Sequence, residues 1–471
     1  MKSLNMLLTV FITVFLLSCS NSDKPNPEPV EKSLTIFFIN DQHGQIDNFS
    51  KIKHIIDTER LQTNVIVACS GDMFSGNPVV DNASEEGAPM IDLMNRIGFD
   101  ISVIGNHEFD YGQEVLKNRM NQADFEWVCA NVDMSSSDIP QPKAYHTISK
   151  GDLNICFLGL VETYGKDGAI PSTHPNKVKG ISFEDHTHVT GNYAQLKYEE
   201  ECDLLVALTH IGLNSDKELA KQHTFFDLII GGHSHSKAQE LINGTPVFQA
   251  GSYLNQLGKI TLVIKNQEVI EYDYDIIELS SYRDYDADMQ LLIDDYNNLP
   301  YLKEIIGYSH NDHDRSQVGC FYTDALRNYL DVNVSFQNTG GVRSGLYSGD
   351  ISRREIFEIS PFKNGVIKYE MSVLEIKQFL IGSASGFYYS GVRIEQNGQT
   401  IIIHDLSGNE LSDETILTIG INDFIPAVHD DYFPDAGELQ PLTAAQTLMA
   451  YLEEGDGQVD YQNCNRYFRY H

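Results

Sequence analysis

A chain of 471 residues is long for one domain, and two or three are expected. Its 41% hydrophobic content can fill large cores and excludes a disordered protein. A formal charge of −34 leaves no basic stripe for a polynucleotide, although small anions stay open to it because a bound cation reverses the field locally.

The N-terminus reads as a targeting segment. Lys2 precedes the apolar run MLLTVFITVFLL (6–17), which is too short to span a bilayer comfortably. The run ends in LLSC (16–19), which is similar to a bacterial lipobox. The expectation is a lipoprotein signal over 1–19 with Cys19 lipidated, then a proline-bearing tether over 20–32. The protein would be exported and membrane-anchored, periplasmic or at the cell surface; an ordinary secretory signal is the alternative. The other six cysteines show no Cys-x-x-Cys spacing. Cys69 and Cys156 sit in apolar runs and predict buried thiols, while disulfide pairing stays open.

Five apolar runs follow in chain order. SLTIFFIN (33–40) leads to Asp41 and His43, and NVIVACS (64–70) to Asp72. APMIDLMNRIG (88–98) has helical spacing through Ile91 and Met94. ISVIG (101–105) leads to Asn106, His107 and Asp110, CDLLVAL (202–208) to His210, and FDLIIGG (226–232) to His233 and His235. The alternation predicts an α/β sandwich whose strands are buried on both faces. Ligands of such sheets gather beyond the carboxyl ends of the strands. Any one of these endings is an ordinary turn. Five in a row, all in Asp, His or Asn, point to divalent metal. Gly231 and Gly232 are expected to let the chain turn and approach the ions, with Ser234 as a small spacer. His186 and His188 have no strand behind them and read as a solvated loop. A linker helix is expected over 284–306, then a mixed α/β domain over 307–471.

Together and in order, NDQHG, GDMFSGNP, GNHEFDYG, LTHIG and GGHSH resemble the calcineurin-like metallophosphatases, and within them the exported 5′-nucleotidase and UDP-sugar hydrolase family. The resemblance implies a four-layer α/β/β/α sandwich over 33–283 and a C-terminal α/β (α+β) substrate-binding domain. It implies two divalent metal ions, zinc or manganese first among them. Asp41, His43 and His235 would hold one ion, Asn106, His210 and His233 the other, and Asp72 would bridge. His107 would stabilise charge on the transferring phosphoryl group, and Asp110 would orient it. The implied reaction is hydrolysis of nucleoside 5′-monophosphates or related nucleotides by in-line attack of metal-bound hydroxide.

In the second domain, FQNTGGVRSGLYSGDIS (336–352) equates Asn338 and Arg343 with substrate contacts. ISPFKNG (359–365) and INDFIPAV (421–428) place Phe362 and Phe424 as the walls of a base-stacking clamp, and Asp430 keeps an acidic position beyond it. There are departures. Val428, His429 and Asp431 stand where the family has glycine. Asp312 or His313 stands near an expected arginine and Gln317 where asparagine is usual, with Arg315 as a candidate to compensate. Nucleotide selectivity is therefore open. The alternatives are a cyclic-nucleotide phosphodiesterase, a UDP-sugar hydrolase or another phosphomonoesterase. Of another class is a surface lipoprotein that binds nucleotides or metal without turnover, for which His107 and Asp110 would have no use. The expected partners are a nucleotide and, through the lipid anchor, a membrane, but no nucleic acid polymer.

Overall fold

The computed structural model describes residues 31–433 and 437–471. The signal segment, Cys19 and nearly all of the tether lie outside the described residues. Among the described residues no helix is long and apolar enough to cross a membrane.

The first domain is built on two six-stranded sheets. In one, strands Lys32–Ile39, Asn64–Cys69, Ile101–Val103 and Glu126–Val128 run parallel, and the hairpin Gln256–Lys265/Glu268–Glu278 joins antiparallel beside the first. In the other, Leu153–Val161, Leu204–His210, Leu228–Ile230 and Thr245–Ala250 are parallel, edged by antiparallel Tyr145–Lys150 and Lys237–Ile242. Strand side chains alternate between faces. Leu34, Ile36 and Phe38 therefore meet Val206, Leu208 and Ile230 between the sheets. Phe37 and Ile39 turn outward onto helices Phe49–Arg60 and Ala88–Ile97. Leu205, Ala207 and Ile229 cover helix Leu213–Gln222 on the far side. The result is the expected α/β/β/α order.

The expected linker helix is shorter and less free than its pattern suggested. It runs from Ala287 to Tyr296, and Asp286 caps it by accepting from Met289 N at 2.8 Å. Met289 and Ile293 sink into the first domain's core, and strand Ile305–Ser309 opens the second domain after a short turn at Pro300–Lys303. The His186–His188 stretch also departs from expectation. It forms a turn of helix, His186–Val189, capped by Asp185, and His186 is buried while His188 stays exposed.

The second domain carries a mixed six-stranded sheet in the order Glu438–Thr443, Gly365–Ser372, Ile416–Asn422, Val334–Asn338, Gly386–Ser390, Tyr467–Arg469. Helices Arg315–Tyr329 and Ala444–Glu454 pack into one core beside it, and Val373–Gly382 packs into another. A disulfide joins Cys320 to Cys464, and Cys69, Cys129, Cys156 and Cys202 are free and buried.

Candidate metal centre

Parallel strands put all their carboxyl ends on one edge. Three adjacent strands of the first sheet deliver Asp41, His43, Asp72 and Asn106 there, and two adjacent strands of the second deliver His210, His233 and His235. The loops are stitched together by backbone bonds: Asp41 N donates to Gly71 O at 3.0 Å and His43 N to Asp72 O at 3.1 Å. His233 N donates to both oxygens of Asp41, at 3.1 and 3.0 Å.

The candidate ligands carry backbone strain. Asp41, His43, Asp72, His233 and His235 all have left-handed φ, between 48° and 78°. Such a conformation costs a residue with a Cβ about 1–3 kcal/mol and persists only where the surroundings enforce it. This corrects the role expected of the double glycine. Neither Gly231 nor Gly232 has a positive φ; the reversal is made by His233 and His235 themselves. The glycines serve close approach instead. A Cβ on Gly232 would lie 2.5 Å from Ser70 O and 2.9 Å from His210 Nδ1. Ser234 is more than a spacer, since its hydroxyl accepts from Leu213 N and donates to Gln249 Oε1 at 2.7 Å.

Hydrogen bonds set the imidazoles. His43 Nδ1 faces Ser75 O at 3.0 Å and His210 Nδ1 faces Ser70 O at 2.6 Å. A carbonyl only accepts, so both Nδ1 atoms carry the proton and both Nε2 atoms turn toward the cluster. There His43 Nε2 meets His235 Nε2 at 2.9 Å, with Asp41 Oδ1 3.5 Å from the latter. His210 Nε2 lies 3.0 Å from Asp72 Oδ2, yet it is buried without a hydrogen bond. Asn106 donates from Nδ2 to Ser172 O at 3.2 Å, which presents its Oδ1 to His233 Nδ1 at 3.0 Å. Imidazole nitrogens and carboxylate oxygens that converge at such distances are placed to share a cation. Asp41, His43 and His235 form one triad with ligand atoms close enough to do so, and Asp72, His210 and His233 form another. Mixed N and O donors suit zinc, manganese or another first-row divalent ion.

Electrostatics agree. Burial pushes His233 down to about 3 and His235 to about 4, and holds His43 well below its ordinary value, so all three are neutral ligands at neutral pH. Burial also opposes charge on His210, but Asp72 and then Asp41 hold it up to about 10. A cation satisfies the same carboxylates that hold that proton, so metal uptake here is linked to proton release.

His107 stands beside the cluster. Its backbone N donates to Asp72 Oδ1 at 2.8 Å, and its Nδ1 donates to Asp110 Oδ2 at 2.5 Å. Asp110 is itself fixed by Thr173 Oγ1 at 2.9 Å. Glu108 was missed in the sequence. Fully buried, it accepts from Asp72 N at 3.0 Å, Met73 N at 2.7 Å and Gly105 N at 2.5 Å, tying two ligand loops together.

The cluster opens into a cavity of about 370 Å³ between the domains. Asn338, Arg343, Phe362 and Phe424 line it from the second domain. Both phenylalanines are half-buried, and neither belongs to a core cluster. Phe362 stacks on His107 with ring centroids 5.6 Å apart, and the Arg343 guanidinium also lies over its ring, 5.6 Å from the centroid. Asp430 is not brought to this wall: its side chain is 60% exposed and pairs with Lys166 at 2.5 Å. Arg315 is not there either, because its Nε donates to Val342 O at 2.8 Å and braces the Thr339–Val342 turn from behind. Ser172, Thr173, His174 and Lys177 also line it, from the first domain, and no sequence pattern had singled them out.

A two-sheet sandwich whose strand ends gather His, Asp and Asn into groups that could hold cations is the architecture of the metallophosphoesterase class. A model of the calcineurin-like phosphoesterase family matches residues 34–237, and one of the 5′-nucleotidase C-terminal domain matches 302–436. The chain belongs to the 5′-nucleotidase family of calcineurin-like metallophosphoesterases, an enzyme family. It is 28% identical over 413 residues to the trifunctional nucleotide phosphoesterase YfkN of Bacillus subtilis, covering 76% of this chain but only 28% of that protein. It is 23% identical to a 5′-nucleotidase of Vibrio cholerae, covering 85% of each. The solved 5′-nucleotidase precursor of Thermus thermophilus shares its fold, with a TM-score of 0.82 over 92% of this chain and 98% of that one at 19% identity.

Proposed function

We propose that this chain is an exported, lipid-anchored phosphohydrolase that releases phosphate from nucleoside 5′-monophosphates or related nucleotides, using two divalent cations. The observation that carries the reading is the pairing of the two ligand triads with a cavity walled by Arg343, Phe362 and Phe424. The names of the relatives, 5′-nucleotidase and nucleotide phosphoesterase, support the substrate class. The lipobox-like LLSC and the Cys320–Cys464 disulfide support an oxidising compartment outside the cytosol.

When bound, the cations supply Lewis acidity toward phosphoryl oxygens and lower the pKa of water. Asp41, His43 and His235 would hold one, Asn106, His210 and His233 the other, with Asp72 between them. The remaining work falls to the chain's own groups. His107 presents Nε2 to the cavity, 4.0 Å from Asp72 Oδ2, with its opposite nitrogen anchored on Asp110. Against burial, Asp110 and Asp72 raise its pKa, and with Nδ1 held on Asp110 its Nε2 is the nitrogen left to donate to a phosphoryl group gaining negative charge. Arg343 offers a fork of donors to phosphate or ribose hydroxyls, and the two phenyl rings offer flat faces to a base.

Phosphate release from AMP, measured across a nucleotide panel with and without chelator, tests this. Wild type should lose activity in chelator and regain it with zinc or manganese, and Asp72→Ala should be inactive. Near wild-type turnover by Asp72→Ala would end the proposal. A strong preference for cyclic nucleotides, UDP-sugars or non-nucleotide esters would move the reading to another phosphoesterase. The displaced Asp430 and the structural use of Arg315 bear on that alternative. Tight AMP binding with no phosphate release would mark a binding protein.

A further inference from the structure

The cavity has a third wall, supplied by the metal-holding domain rather than by the clamp domain. Ser172, Thr173 and His174 lie on a segment that is firmly held. Ser172 N donates to Glu162, which is fully buried, at 2.5 Å, and Thr173 Oγ1 donates to Asp110 at 2.9 Å. His174 then opens the turn Pro175–Val178 as its cap, with Nδ1 accepting from Asn176 N at 3.2 Å. An Nδ1 that accepts carries no proton, so the ring proton sits on Nε2. That atom crosses the domain boundary to face Asp423 Oδ1 at 3.8 Å, a buried oxygen with no hydrogen-bond partner. The same ring meets Phe424 edge-on, with centroids 6.1 Å apart and planes at 69°. Asp423 and Phe424 are consecutive, and Phe424 begins the helix Phe424–Val428. One imidazole from the first domain thus braces both the root and the ring of an aromatic cavity wall in the second.

We propose that His174 is a positioning residue for nucleobase recognition, setting the angle of Phe424 when the two domains face each other. This rests on the nucleotide reading above. The ring–ring contact is an edge-to-face pair, and its loss at a recognition site is worth about fivefold in selectivity. His174→Asn is the informative variant, since its amide oxygen can still cap Asn176 N while the ring and the reach to Asp423 are gone.

The readout is the ratio of kcat/KM for AMP to kcat/KM for ribose 5-phosphate, which has no ring to stack. In His174→Asn the ratio should fall about fivefold, through KM for AMP rather than kcat. Phe424→Ala should lower it at least as far, and the double variant no further than Phe424→Ala alone, because His174 acts through that ring. An unchanged ratio in His174→Asn, or losses that add in the double variant, would overturn the inference while leaving the nucleotide reading intact. If wild type itself shows no preference for AMP, the nucleotide reading fails and the inference falls with it.

Discussion

Asp110 shows how much one carboxylate can decide through a neighbouring imidazole. It receives the Nδ1 proton of His107 on one oxygen and the Thr173 hydroxyl on the other, and its side chain is only 8% exposed. Replacing it with asparagine keeps the shape but not the charge, and an amide nitrogen would face the Nδ1 proton in one of its two orientations. His107 would then lose both the acceptor that fixes its ring orientation and part of the attraction that raises its pKa. Asp110→Asn should lower kcat about 10–100-fold with little change in KM, the signature of an interaction that matters in the transition state. Steady-state kinetics with AMP decide it; a raised KM at unchanged kcat would mean that Asp110 serves ground-state binding instead.

At the scale of elements, the loop after strand Asn64–Cys69 holds a second buried carboxylate with a different job. Asp81 ends the short helix Pro78–Asp81, accepts from Gly76 N at 3.0 Å and receives the Tyr111 hydroxyl. Tyr111 in turn accepts from Ser75 N at 3.1 Å, and Ser75 O is the anchor of His43. Burial pushes Asp81 from 3.8 up to about 7, so the native state keeps a proton that the unfolded chain has released. Its contribution to stability is therefore complete below about pH 4 and is lost as pH rises toward about 7. Asp81→Asn lacks that loss, so thermal scans should show its melting temperature gaining on wild type across this window; parallel curves would contradict the assignment. None of this network was legible in the sequence, because GDMFSGNP reads as a polar turn and Tyr111 joins it from another loop. The strand ends were legible for the opposite reason. Strands buried on both faces must be apolar throughout, so Asp41, Asp72, Asn106, His210 and His233 stand out where each run stops. The left-handed φ values of the ligands left no trace, since none of those positions is glycine.

At the scale of the molecule, legibility fell where partners come from distant segments. The His174 turn reads as an ordinary solvated loop until Asp423 and Phe424 fold against it. Asp430 kept its place in the chain but not in space, because bulky neighbours fold it into a 3₁₀ turn, Asp430–Tyr432, that sends it to Lys166. Cys320 and Cys464 likewise gave no pairing signal, although their bond closes nearly the whole second domain, with a separation of 144 residues. It fastens helix Arg315–Tyr329 to the C-terminal segment, where Arg466 also grips Asp324 at 2.7 and 2.8 Å. Loss of a native disulfide typically costs about 2–5 kcal/mol, and here the whole loss falls on one domain. The other domain carries its own reporter, since Trp127, the chain's single tryptophan, is buried in the strand Glu126–Val128. Under reductant, or in Cys464→Ser, the urea transition followed by far-UV circular dichroism should shift to lower denaturant while the tryptophan fluorescence midpoint holds. A fluorescence midpoint that moved just as far would show that the two domains unfold as one unit. In that case the contacts across the cavity, Lys363 with Glu86 at 2.6 Å and Lys166 with Asp430 at 2.5 Å among them, couple the domains more tightly than two separate cores require.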